Sequence, residues 1–183
     1  MAPVFDAINV VGVSGSPAAR SRSRVLLEAA LNALERYGTR GRPIDLAGLP
    51  ADALLGRRED PTVADALAAV QAARIIVVGT PIYRATYSGL LKVFFDLLPQ
   101  DALAGKVAIV IATGATPGHL LTVDHGLRPL LASVGALVVP TGVYGTDAQF
   151  RDGRIVDGAL LESVERAVAE AAALVGLVPA LEA

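Results

Sequence analysis

An α/β fold, a five-stranded parallel sheet doubly wound with helices on both faces, is predicted by three features of this 183-residue chain. Apolar β-type runs alternate with helix-like stretches along its length, the order that βαβ units produce. Two runs, Ile75-Ile76-Val77-Val78 and Val107-Ala108-Ile109-Val110-Ile111, are continuously apolar, as suits central strands covered on both faces. The helix-like stretches carry apolar stripes at i, i+3, i+4 spacing that can supply that cover.

The first strand runs from Ile8 to Val13, and the stretch after it sets Leu26, Leu27, Ala30 and Leu34 on one helical stripe. A weaker strand follows at Pro43 to Leu46. The third, Arg74 to Gly79, leads into a second stripe of Tyr87, Leu90, Leu91, Phe94, Phe95 and Leu98. The fourth, Val107 to Ala112, leads into Pro117 to Val134, which reads as a helix with Leu120, Val123, Leu127, Leu130, Leu131 and Val134 toward the core. Pro129 falls inside that helix and has no N–H for the carbonyl of His125, so a bend or bulge is expected there. Leu121, His125 and Ala132 share the opposite face, which reads either as subunit contact or as plain solvated surface. The fifth strand is Ala136 to Tyr144, and a last helix, Ile155 to Leu177, ends in a short frayed tail. Five strands in one domain, residues 1–183, match the doubly wound order 2-1-3-4-5.

Composition narrows the function. A net charge of −2 and a pI near 5.7 argue against a nucleic-acid or anionic-membrane surface, which needs a basic excess. The longest apolar runs fall far short of the roughly 20 residues that span a bilayer. The absence of cysteine excludes disulfides, thiolate metal sites and thiol nucleophiles. No signal-type apolar core follows a basic start, so the cytoplasm is the expected location. His119 and His125 are six apart on a predicted helix, which turns them to different faces and offers no metal-ligand spacing. A small molecule or another protein is the expected partner.

Ligands of such sheets bind outside the carboxyl ends of the strands, at the point where strand order reverses. The loop leaving the first strand lies there and reads Gly-Val-Ser-Gly-Ser-Pro-Ala-Ala-Arg-Ser-Arg-Ser over residues 12–23. Its small residues let backbone approach an anion. The hydroxyls of Ser14, Ser16, Ser21 and Ser23 and the guanidinium of Arg22 can complete the anion's shell at a helix N-terminus. Neither the G-x-G-x-x-G fingerprint nor the triphosphate loop G-x-x-x-x-G-K-[ST] is present, which points to a phosphate monoester of another kind. Taken alone the loop is also what an ordinary capping turn requires. Two further loops reach the same edge, Thr80-Pro81-Ile82-Tyr83-Arg84-Ala85-Thr86-Tyr87-Ser88-Gly89 and Ala112-Thr113-Gly114-Ala115-Thr116-Pro117-Gly118. Both can offer backbone N–H groups to a planar heteroaromatic ring, with Tyr83 placed to edge or stack on it.

These segments together resemble the NADPH-dependent FMN reductases of flavodoxin-like fold, and among them the alkanesulfonate-utilisation type. The resemblance rests on Gly15-Ser16-Pro17 with Ser21-Arg22-Ser23, Thr80-Pro81-Ile82-Tyr83, Tyr87-Ser88-Gly89-Leu90-Leu91-Lys92, Asp96-Leu97-Leu98-Pro99, and Ala112-Thr113-Gly114 followed by His119-Leu120-Leu121-Thr122-Val123-Asp124. It implies that Ser14, Ser16, Ser21, Arg22 and Ser23 hold the FMN phosphate. It implies also that Pro81, Ile82, Tyr83 and Ser88, with Thr113, Gly114 and Ala115, line the isoalloxazine. Ala115 stands where many relatives carry a second glycine.

The implied chemistry is hydride transfer from NADPH or NADH to flavin, which needs alignment of two rings and no catalytic acid or base from the protein. Backbone N–H groups near Gly114 are the expected stabilisers of charge on the reduced ring. The resemblance further implies loosely held FMN, a flavin-dependent sulfonate monooxygenase as recipient, and a homodimer or homotetramer through the 117–134 helix. Some members carry a tyrosine-containing π-bulge in that helix, and the matching position here is His125. Arg20, Arg24 and Arg84 are each candidates for a nicotinamide 2′-phosphate. Two other readings stay open, an azo or quinone reductase that retains its flavin and a flavodoxin-type electron carrier that does not oxidise NADPH.

Overall fold

The computed structural model describes residues 8–179. In chain order the elements are β1 (Asn9–Ser14), α1 (Arg22–Glu35), β2 (Arg40–Asp45), the single turn α2 (Ala51–Leu54), α3 (Pro61–Ala72), β3 (Ile75–Tyr83), β4 (Thr86–Tyr87) and α4 (Gly89–Phe95). They continue with β5 (Val107–Gly114), α5 (Arg128–Ser133), β6 (Leu137–Val138), β7 (Val143–Thr146), the small hairpin β8 (Phe150–Arg151) and β9 (Arg154–Ile155), and α6 (Gly158–Leu174). Helix starts follow from local chemistry. Ser21, Asp60, Ser88 and Asp157 each accept a hydrogen bond from an amide of the first turn of α1, α3, α4 and α6 respectively.

The main sheet runs β2-β1-β3-β5, with β6 and β7 both pairing in parallel with β5. Counting β6 and β7 as one broken strand, and setting aside the two-residue β4 that folds back on β3, this is the expected order 2-1-3-4-5. Alternate residues of the central strands feed two separate cores, as pleating requires. Val11, Val13, Ile76, Val78, Ala108 and Val110 pack beneath α3, α4 and α5, whereas Val10, Ile75, Val77, Ile109 and Ile111 pack beneath α1 and α6. Leu26, Leu27, Ala30 and Leu34 are all buried, so the predicted stripe of α1 is the one that meets the sheet. Each such leucine contributes about 1.5–3 kcal/mol on burial.

Four expectations change. The fifth strand breaks between Val138 and Val143, and side chains take up the backbone groups that the ladder leaves free. Arg128 donates to the carbonyls of Val139, at 2.6 Å, and Pro140, while Glu170 accepts from Thr141 N at 2.7 Å. Next, the predicted 117–134 helix is α-helical only over α5. It opens with a 3-10 turn at Pro117–His119 and passes through a π-helical segment, Val123–Leu127, closed by a bond from Arg128 N to Val123 O. The expected bulge is therefore present, one turn before Pro129. The altered winding puts Leu120 in solvent, 50% exposed, although Val123, Leu127, Leu130, Leu131 and Val134 are buried as expected. The same winding also sets His119 and His125 on the wall of one shallow cleft with Leu121 and Thr122, instead of on different faces. No group of three or more potential metal ligands occurs among the described residues. No described helix is long and apolar enough to cross a membrane. The last helix is shorter than Ile155 to Leu177, because β9 and the cap at Asp157 precede it, and residues 180–183 of the expected tail lie outside the described residues.

Candidate active site at the carboxyl edge of the sheet

Strand register brings the three candidate loops together. Ser14 at the end of β1 lies beside Gly79 of β3, and Pro81 of β3 lies beside Thr113 of β5, so all three segments leave the sheet at one edge. Between them is a cleft of about 260 Å³. Ser16, Ser21 and Arg22 line one end, Pro81, Ile82 and Tyr83 one wall, and Thr113, Gly114 and Ala115 the other. Nine of the expected site residues thus share one cavity.

The remaining three lie behind it. Ser23 is fully buried and its hydroxyl shares a 2.9 Å hydrogen bond with that of Ser21, orienting the capping serine. Ser14 is buried at the strand end, where its Oγ has no hydrogen-bond partner among the described residues. Ser88 is buried as well and is fully engaged in bracing the site. Its Oγ donates to Gly15 O at 2.5 Å and accepts from Leu91 N at 3.1 Å, and its own amide donates to Thr80 Oγ1 at 3.0 Å. Gly15 also donates to Gly79 O at 2.8 Å, and a Cβ there would come within 2.8 Å of Leu91 Cβ. The first loop is thereby locked onto α4 and β3 at a distance only glycine permits.

The second wall is a tight hairpin. Ile82 pairs with Tyr87 and Tyr83 with Thr86, leaving Arg84 and Ala85 as a two-residue turn with φ of 51° and 65°. Two-residue hairpin turns demand this left-handed backbone, which non-glycine residues adopt only under strain. The turn holds Tyr83, 46% exposed, at the lip of the cleft. Thr122 Oγ1 donates to Ala85 O at 3.3 Å, joining the hairpin to the segment just before the π-helix.

The third wall is set by Tyr144, whose hydroxyl donates to Thr116 O at 2.6 Å. A Cβ on Gly114 would stand 2.3 Å from that hydroxyl, so the glycine is what lets the ring pass beneath the loop. Burial, with a smaller contribution from the carboxylate of Asp147, pushes the Tyr144 phenol above its ordinary value, so it stays a donor.

Three lining residues were not singled out for the phosphate end from sequence: Ala18, Arg20 and Asp147. Asp147 pairs with Arg22 at 2.8 Å. It follows β7 directly, and the signal for it was the carboxyl-edge rule itself. Ending the fifth strand at Tyr144 rather than at Thr146 hid it. Of the candidates for a 2′-phosphate, Arg20 and Arg24 border a larger cleft of about 760 Å³ beside the α1 start and the β8–β9 hairpin. Arg24 is held there by Asp45 at 2.5 Å, whereas Arg84 belongs to the strained turn.

The hydroxyls, the two guanidiniums and the N-terminus of the 14-residue α1, which has no acid in its first turn, gather at one end of the cleft, where they could hold a phosphate monoester. The two loop walls suit a flat ring. The model of the family described as NADPH-dependent FMN reductase matches residues 8–151. The chain belongs to that family. It is 40% identical to FMN reductase (NADPH) of Pseudomonas putida over 141 residues, 76% of this chain and 72% of that protein. It is 37% identical to the NADH-dependent FMN reductase SfnF of Pseudomonas fluorescens over 92% of each chain. Among solved structures, the apo form of the NADH:FMN oxidoreductase EMOB superposes with a TM-score of 0.85 at 37% identity, covering 96% of this chain and 92% of that one. As a member of this family the protein is a flavodoxin-like oxidoreductase that works on FMN with a reduced nicotinamide.

Proposed function

We propose that the 260 Å³ cleft is the flavin site and that FMN is handled there as a substrate, taken up, reduced and handed to a flavin-dependent monooxygenase of sulfonate metabolism in the cytoplasm. The observation that carries this is the convergence of the β1, β3 and β5 loops on one cavity with a cationic, hydroxylic end and two less charged walls. Ser16, Ser21 and Arg22 hold the phosphate, with Ser23 orienting Ser21 and Ser14 supplying a buried hydroxyl behind the loop. Pro81, Ile82 and Tyr83 face Thr113, Gly114 and Ala115 across the ring, and Ser88 keeps the loops in register. When bound, FMN supplies the hydride-accepting chemistry. The protein's share is to orient the ring and shield it, so it needs no titrating side chain at the reacting atoms.

Two copies or four are expected to meet through the 117–134 segment, whose outer face shows Leu120 and Leu121 at 50% and 61% exposure.

The test is the rate of oxidation of NADPH, and of NADH, by purified protein with and without added FMN. A colourless protein whose turnover saturates with FMN bears the reading out. A yellow protein indifferent to FMN but active on quinones or azo dyes overturns it, as does the absence of any nicotinamide oxidation, the behaviour of an electron carrier.

A further inference from the structure

Asp147 is the single acidic side chain among the described residues that line the cleft, and it faces the end where hydroxyls and arginines gather. An anion-binding end would ordinarily exclude a carboxylate, because like charge opposes the ligand. Here the carboxylate is held in place. Thr146, paired in register with Gly114, and Gln149 form a capping box around the 3-10 turn that Asp147 begins, with Thr146 N donating to Gln149 Oε1 at 2.9 Å. From that fixed turn Asp147 reaches Arg22, the first residue of α1, at 2.8 Å. Both side chains are about half exposed, at 49% and 47%, so the pair is exchangeable with an incoming anion.

We propose that Asp147 is an internal competitor for the phosphate site, its carboxylate and the flavin phosphate contending for the Arg22 guanidinium. This rests on the reading that the cleft takes the FMN phosphate. Asp147 then weakens the hold on FMN without touching the ring, and it favours flavin with the phosphate over riboflavin less than the cradle alone would. Such a device suits a protein that must let its flavin go.

The competition is measurable as affinity, independent of turnover. Dissociation constants for FMN and for riboflavin, which lacks the phosphate, are taken from quenching of flavin fluorescence at low ionic strength for the unchanged protein, Asp147→Asn, Arg22→Ala and the double variant. Asp147→Asn is expected to tighten FMN about twofold to fivefold, the range open to a half-exposed ion pair. Riboflavin should be unmoved, the gain should shrink at high salt, and it should vanish in the Arg22→Ala background. Asp147→Ser repeats the comparison with a smaller side chain should the asparagine disturb the turn. The proposal is overturned if Asp147→Asn leaves FMN affinity unchanged or lowers it while Arg22→Ala still weakens FMN relative to riboflavin. It is equally overturned if the gain persists undiminished without Arg22. If Arg22→Ala fails to move the FMN-to-riboflavin ratio at all, the phosphate reading of the cleft is itself wrong and the competition falls with it.

Discussion

Replacing Ser88 by alanine separates a residue that touches flavin from one that braces the site. The hydroxyl is buried, caps α4 through Leu91 N at 3.1 Å and donates to Gly15 O at 2.5 Å. Its removal costs about 1 kcal/mol for the cap. Leaving the Gly15 carbonyl buried without a partner adds about 1–3 kcal/mol. Together these come to about 2–4 kcal/mol, which for a domain of this size lowers the unfolding midpoint by roughly 4–16 °C. The assay is thermal unfolding by circular dichroism without flavin, alongside FMN titration below the shifted midpoint. A midpoint lowered by less than about 2 °C would refute the bracing argument. A loss of FMN affinity at unchanged stability would return Ser88 to the ring contact that the family resemblance implied.

Gly114→Val should drive Tyr144 off Thr116 O, since a Cβ at 114 stands 2.3 Å from the tyrosine hydroxyl, and should lower FMN affinity by about tenfold or more; unchanged affinity in a fluorescence titration would take the 113–115 loop out of the site. Because the Tyr144 phenol is raised in the folded protein, its contribution to stability is fully present below the ordinary phenol value of 10.0 and is lost as pH climbs through the higher folded value. Ultraviolet titration should accordingly show a phenol step displaced above 10.0, and Tyr144→Phe should abolish it. His125→Ala should shift the oligomer toward a smaller mass by light scattering, and an unchanged mass with unchanged flavin kinetics would make His125 plain surface.

The sheet and most of the lining of the candidate cleft were legible in the sequence because both depend on short-range patterns. Continuous apolar runs such as Ile75 to Val78 can sit only in the middle of a covered sheet, and the loops that follow such runs must leave at its carboxyl edge. What the pattern could not show were choices settled by distant partners. The fifth strand reads as continuous from Ala136 to Tyr144, yet it breaks where Arg128 and Glu170 satisfy the backbone better than the ladder does. Leu120 fits the core stripe of an ideal α-helix, and only the 3-10 and π winding around it turns it outward. Ser88 looks like any hydroxyl in a ligand loop until Gly15 O, 73 positions away in sequence, is found bonded to it.

The broken fifth strand also bears on how copies of this protein can meet. A parallel sheet has two edges, each a row of backbone groups able to recruit a strand from a neighbour. At one edge β2 carries Arg40 and Arg42 and includes Pro43, which has no N–H to donate, beside Gly12 of β1. At the other, the two-residue β6 stops short and Arg128 occupies the carbonyls of Val139 and Pro140. The edge there resumes for the four residues of β7, so one edge of the sheet is charged and the other interrupted, features that discourage strand addition. These features favour meeting through helical faces and work against strand-on-strand growth in a chain whose central strands are among its most apolar segments.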